Sequence, residues 1–118
     1  MGRRPDGALE RDVMEVLWRA DGPLTPAEVR EQLDVDLAYT TVTTVLGRLS
    51  DKGRALREAR GRAFAYAAAV SESELAADQM NAVLSSATDR VGALGGFVGA
   101  LSKGDRAALR RLLDGPDR

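Results

Sequence analysis

Thr40, Thr41, Thr43 and Thr44 crowd into the stretch YTTVTTVLGRL, and Arg48 follows one helical turn later. A threonine carries two recognition groups. Its hydroxyl both donates and accepts hydrogen bonds, and its methyl can touch another methyl, such as the one at C5 of thymine. Gly47 leaves a gap beside them through which a backbone could approach closely. Lys52 and Arg54 come next, and Arg60 and Arg62 flank Gly61. Arg48 suits phosphate or guanine, and these four cations are expected at phosphates or in the minor groove. Tyr39, just before the threonines, suits either packing or a phosphate contact through its hydroxyl. The chemistry on offer is recognition. With no histidine and no cysteine, the chain lacks the commonest general base, thiolate nucleophiles and the usual soft metal ligands. No nucleophile–base pair, Gly-rich phosphate loop or metal quartet stands in their place. Neither catalytic residues nor a metal or cofactor site is expected, and an enzyme is not expected either.

Charge distribution points the same way. The net charge is −1, which offers no global attraction for a polyanion. Residues 1–37 hold 5 basic and 9 acidic side chains, whereas residues 38–70 hold 6 basic and 2 acidic, a local excess of +4. That middle third is the candidate polyanion surface. At 118 residues and 44% hydrophobic, the chain can form one compact domain or a small domain with an appendage. No run approaches the ~20 apolar residues of a membrane span, and no apolar signal-peptide core opens the chain, so a cytoplasmic location is expected.

The recognition residues need elements to hold them. Leu9, Val13, Val16, Leu17 and Ala20 recur at helical spacing and predict a first helix over 8–20, broken by DGP at 21–23. Thr25, Pro26 and Glu28 spell a capped start for a second helix, with Val29 and Leu33 inward. Thr and Val favour strands, so composition alone would make 38–52 one. At ~100° per residue, however, Val42, Val45, Leu46 and Leu49 gather on one side and the threonines, Gly47 and Arg48 on the other. Alternation by two mixes them. The helix reading wins, closed by Lys52 and Gly53. Residues 54–70 then predict a hairpin turning at RGR. Three helices followed by a basic hairpin make a winged helix-turn-helix, whose third helix suits a DNA major groove.

From Ser71 the pattern is helical again, with Ser71 and Glu74 at capping-box spacing. Leu75, Val83, Leu84 and Ala87 predict one stripe, with Ala76, Met80 and Val91 beside it. Residues 92–96, GALGG, read as a loosened joint; Leu94, Phe97, Val98 and Leu101 form a second short face, and Leu109, Leu112 and Leu113 a third. Helices so short are marginal alone, so these stripes are expected to meet a second copy of the chain, giving a homodimer. The expected fold is mainly α with a small β-hairpin wing. A winged helix-turn-helix DNA-binding domain would occupy 1–70 and a helical dimerisation domain 71–118. Trp18 and Phe97 are expected in packing, and the acidic residues of the first two helices in solvent. Two other readings remain open: a winged-helix module whose third helix packs on protein, and a small-molecule-sensing regulator.

LERDVMEVLW at 9–18, TPAEVREQL at 25–33, LAYTTVTTVLGRLSDKG at 37–53 and RAFAYAAAV at 62–70 resemble the penicillinase-repressor (BlaI/MecI-type) regulators, and a weaker likeness runs on through GGFVGALS and RAALRRLLDG. The resemblance implies a homodimeric winged-helix repressor on a palindromic operator with a TACA/TGTA-type core, its C-terminal helices intertwined. Thr40, Thr41, Thr43 and Thr44 would face bases, Arg48 and Lys52 the backbone, and Arg60 and Arg62 the wing contacts. It also implies an upstream membrane sensor and protease pathway that cuts between an asparagine and a phenylalanine. The matching position here is Gly96–Phe97, with glycine in place of asparagine. The copper-responsive branch of the family has a cysteine tail, which this chain lacks.

Overall fold

A computed structural model describes residues 6–115. They divide into two compact units, residues 6–75 and 76–115. In chain order the elements are α1 (Asp6–Arg19), α2 (Pro26–Gln32), α3 (Tyr39–Asp51), β1 (Ala55–Arg60), β2 (Ala63–Ala68), α4 (Glu72–Ser86), α5 (Arg90–Ala100) and α6 (Lys103–Asp114).

The first unit is a winged helix. Val13, Met14, Val16 and Leu17 of α1 meet Val29 of α2 and Val42, Val45, Leu46 and Leu49 of α3 in one core. Each such side chain contributes roughly 1.5–3 kcal/mol when fully buried. The capping box of α2 forms as its sequence demands. Glu28 N donates to Thr25 Oγ1 at 3.3 Å, and Thr25 N donates to Glu28 Oε1 at 2.8 Å. The α3 helix stops at Lys52 because Gly53 takes φ 77°, a left-handed conformation that costs glycine nothing.

β1 and β2 pair antiparallel from Ala55↔Ala68 to Arg60↔Ala63. Of the two turn residues only Gly61 has a positive φ, 60°, the type II′ pattern whose twist suits a tight hairpin. Leu24 adds a third backbone segment: its N–H donates to the Tyr66 carbonyl at 2.9 Å and its carbonyl accepts from Tyr66 N at 2.7 Å. A single bridging residue leaves no periodicity, so the sequence does not announce it.

Where the first unit ends, the structure corrects the sequence reading. The start of α4 is tied to α1: Trp18 Nε1 donates to the Val70 carbonyl at 2.9 Å, and Arg11 pairs with Glu72. Ser71 and Glu74 form the expected capping box, at 3.1 and 2.7 Å. Leu75, expected on a dimerisation stripe, is instead fully buried in the winged-helix core. The compact unit therefore ends after Leu75, not at Val70.

In the second unit, GALGG is no loosened joint. α5 runs unbroken from Arg90 to Ala100, started by Asp89, whose Oδ1 accepts from Gly92 N at 2.9 Å. A Cβ at Gly92 would meet the Asp89 carboxylate as it is placed in the cap, so a larger residue there would need that side chain to shift. The cap and the apolar residues between the glycines outweigh glycine's poor helix propensity. Val91 accordingly belongs to α5 and not to the stripe of α4. Ser102 caps α6 by accepting from Asp105 N at 3.1 Å. Among the described residues, no helix is long and apolar enough to cross a membrane.

Candidate nucleic-acid interface

α3 keeps apolar and polar residues apart. Val42, Val45, Leu46 and Leu49 are at most 3% exposed, while Thr40, Thr44 and Arg48 lie open on the far side with Gly47 between them. Thr41 and Thr43 sit at the flanks, half-buried. Their hydroxyls differ. Thr43 Oγ1 donates back to the Thr40 carbonyl at 2.9 Å, which occupies its proton and turns it along the helix. Thr40 and Thr44 therefore present the better-placed hydroxyl-and-methyl pairs. Tyr39, 47% exposed, opens the helix beside Arg30, whose Nε donates to the Leu37 carbonyl at 2.8 Å and fixes the segment before α3.

The basic residues are less uniform than their count suggests. Arg54, expected at phosphates, is withdrawn. Its side chain is 14% exposed and its Nη1 donates to Glu10 Oε1 at 3.0 Å. The Arg54 backbone is held too, since its N–H donates to the Leu49 carbonyl at 2.8 Å and its carbonyl accepts from Ala69 N at 2.9 Å. Lys52 gives its Nζ to the other oxygen of the same carboxylate at 2.7 Å. Glu10 is thus not a solvated residue of the first helix. It is 4% exposed and doubly paired, because desolvating a carboxylate is tolerable only with cations on it.

Arg60 also turns inward to the protein, donating to the Pro23 carbonyl at 3.0 Å and to Glu28 Oε1 at 3.4 Å, which ties the wing to the start of α2. Glu28, expected at the capping-box position, is committed to its cap. Its carboxyl lies below the ordinary glutamate value. The Thr25 backbone N–H is the largest cause; desolvation opposes it, and the Thr25 side chain and Arg60 add to it.

Arg62, beyond the turn, is exposed and has no ion pair or hydrogen bond among the described residues. Sequence reasoning counted Arg57 as a charge but gave it no role. Its guanidinium lies 4.2 Å from the centroid of the half-exposed Phe64 ring, a cation–π contact that holds the arginine against the exposed wing. The Arg57↔Tyr66 and Ala59↔Phe64 pairings put both side chains on one face of the hairpin, a signal the sequence carries only once the register is known.

The second unit offers an apolar surface. Met80 and Val83 of α4 and Leu94, Phe97 and Val98 of α5 are each at least 42% exposed. An open groove of about 590 Å³ between α4 and α5 is lined by Met80, Leu84, Leu94 and Phe97 among others. Leu112 and Leu113 of α6 are 71% and 78% exposed, with Leu101 and Leu109 half-buried.

Residues 7–115 match the family model described as penicillinase repressor. Two Mycobacterium tuberculosis proteins, each named transcriptional regulator BlaI, from strains CDC 1551 and H37Rv, are 43% identical over 112 residues, covering 91% of this chain and 81% of theirs. The crystal structure of M. tuberculosis Rv0081 matches at a TM-score of 0.46 and 24% identity, covering 75% of this chain and 83% of that one.

Proposed function

The chain belongs to the penicillinase repressor family of transcriptional regulators, and on that premise we propose that it represses by binding a two-fold related operator as a homodimer. The observation that carries this reading is the division of α3, whose inner face is closed into the core while Thr40, Thr44, Gly47 and Arg48 are presented together. Exposed threonines early in such a helix can read base edges of a TACA/TGTA-type operator, whose thymine methyls suit them. Arg48, Arg57 and Arg62 supply phosphate contacts, which set affinity and register but carry no sequence information. Thr41, Thr43 and Tyr39 flank the reading face, and Lys52, Arg54 and Arg60 are engaged within the protein.

The exposed apolar residues of α4, α5 and α6 support the dimer. Val83, Leu84, Leu94, Phe97, Val98, Leu101, Leu109, Leu112 and Leu113 remain as its candidate contacts, without Leu75. A scissile bond at Gly96–Phe97 would lie inside α5, so a protease of a membrane-sensor pathway would have to open that helix first. Glycines at 92, 95, 96 and 99 make opening easier, at about 1 kcal/mol each relative to alanine.

Fluorescence anisotropy with a palindromic operator-like duplex and a scrambled one, across a salt series, tests the reading. The operator should bind more tightly, with affinity falling steeply as salt rises. Arg62→Ala should weaken both duplexes alike. If the intact protein shows neither preference nor salt dependence, α3 packs on a protein partner instead.

A further inference from the structure

We propose that Glu10 sets operator specificity by withholding Lys52 and Arg54 from DNA phosphates. The proposal rests on the repressor reading above. Glu10 is the buried charged residue of the core among those described, and each of its carboxylate oxygens holds one cation: Oε2 the Lys52 ammonium at 2.7 Å, Oε1 the Arg54 guanidinium at 3.0 Å. Lys52 caps the C-terminus of α3, and Arg54 leads into β1 between two backbone hydrogen bonds. One carboxylate of α1 therefore holds the end of the reading helix and the root of the wing.

The two cations are not equally held. Arg54, 14% exposed and fixed at its backbone, cannot leave without stranding a desolvated carboxylate. Lys52, with its side chain 49% exposed on a flexible stem, is the one that phosphate could compete for. Non-specific affinity grows with the number of cations offered to the backbone, while discrimination comes from the bases. A repressor must hold one site against a vast excess of other DNA, so the quantity that matters is the ratio of the two affinities. Neutralising two cations next to the reading helix lowers the background and leaves base contacts untouched. Glu10 is a positioning residue; it touches no DNA itself.

The test uses Glu10→Gln, Lys52→Met and the double variant in the full chain, with operator-like and scrambled duplexes in a salt series. The glutamine keeps size and an acceptor but releases the charge. Binding of Glu10→Gln to the scrambled duplex should strengthen severalfold, with the slope of log K against log salt steeper by about 0.9–1.8 per protomer. The ratio between duplexes should fall, and adding Lys52→Met should remove the Lys52 share of the change, about 0.9 of slope per protomer. A purely structural role predicts weaker binding to both duplexes and no steeper slope, and that result overturns the proposal. Lys52→Met alone decides the matter even if Glu10→Gln does not fold. An unchanged slope supports sequestration; a slope shallower by about 0.9 per protomer shows that Lys52 already meets phosphate, and sinks it. Failure of the parent protein to prefer the operator would instead remove the repressor reading itself.

Discussion

Thr43 and Thr44 are chemically identical neighbours that the backbone puts to different uses. The Thr43 hydroxyl is spent on the Thr40 carbonyl at 2.9 Å, whereas Thr44 stands exposed in line with Thr40 and Gly47. Thr44→Ala should therefore cost discrimination, roughly 1–3 kcal/mol per half-site, measured as the ratio of operator to scrambled-duplex affinity. Thr43→Ala should cost much less. Thr44→Val separates the two groups of the side chain, since it keeps a methyl and loses the hydroxyl; near-parent discrimination would assign the reading to a thymine methyl. Equal losses at Thr43 and Thr44 would show that the helix docks at a different rotation. Glu28 gives a second residue-scale expectation. Its folded pKa lies below the unfolded one, so its stabilisation is present above the ordinary value of about 4.3 and is lost as the pH falls through the folded value. Melting temperatures of the parent and Glu28→Gln should converge as the pH drops through that window. A gap that persists at low pH would mean the carboxylate charge is not what holds the cap.

At the scale of elements, Leu75 shows how a residue can be assigned to the wrong compact unit. Its stripe continues into α4, so periodicity alone assigns it to the helix it sits on. Only packing reveals that its side chain fills the core of the preceding unit. Leu75→Ala should destabilise the winged helix by about 2–5 kcal/mol. A fragment ending at Val70, which also lacks the Ser71–Glu74 cap, should melt well below one ending at Ser86; equal melting would return the boundary to Val70. The helices themselves were legible because capping residues and 3.6-residue periodicity are local signals, and the Thr25–Glu28 box forms as written. GALGG misled because glycine content outweighed a cap three residues upstream. Glu10 was not legible at all. Its partners lie 42 and 44 residues away, and nothing near it in the sequence distinguishes a buried carboxylate from a solvated one. The same blindness affects the charge count, since the six basic residues of 38–70 include Lys52, Arg54 and Arg60, each paired with a carboxylate of α1 or α2.

For the whole molecule, that reduced charge and the uncovered second unit combine into one measurable expectation. Phe97, Leu94 and Val98 of α5 and Leu112 and Leu113 of α6 are each at least 42% exposed, and no residue of either helix is buried within the single chain. Helices of this length rarely persist alone in water, so in the proposed homodimer the unit would gain stability from the same surface of a second copy. Sedimentation at micromolar concentration should show a dimer, and Phe97→Asp should shift it to monomer while the winged helix keeps its fold. A dimer also doubles the phosphate contacts. If Arg48, Arg57 and Arg62 serve each protomer, log K for the operator should fall with log salt at a slope of about −5; all six basic residues of 38–70 would give about −11. Phe97→Asp should roughly halve whichever slope the parent shows, because a lone protomer meets one half-site. A monomeric parent would remove the two-fold operator from the proposal, and a slope near −11 would mean that the carboxylates of α1 and α2 release their cations when DNA arrives.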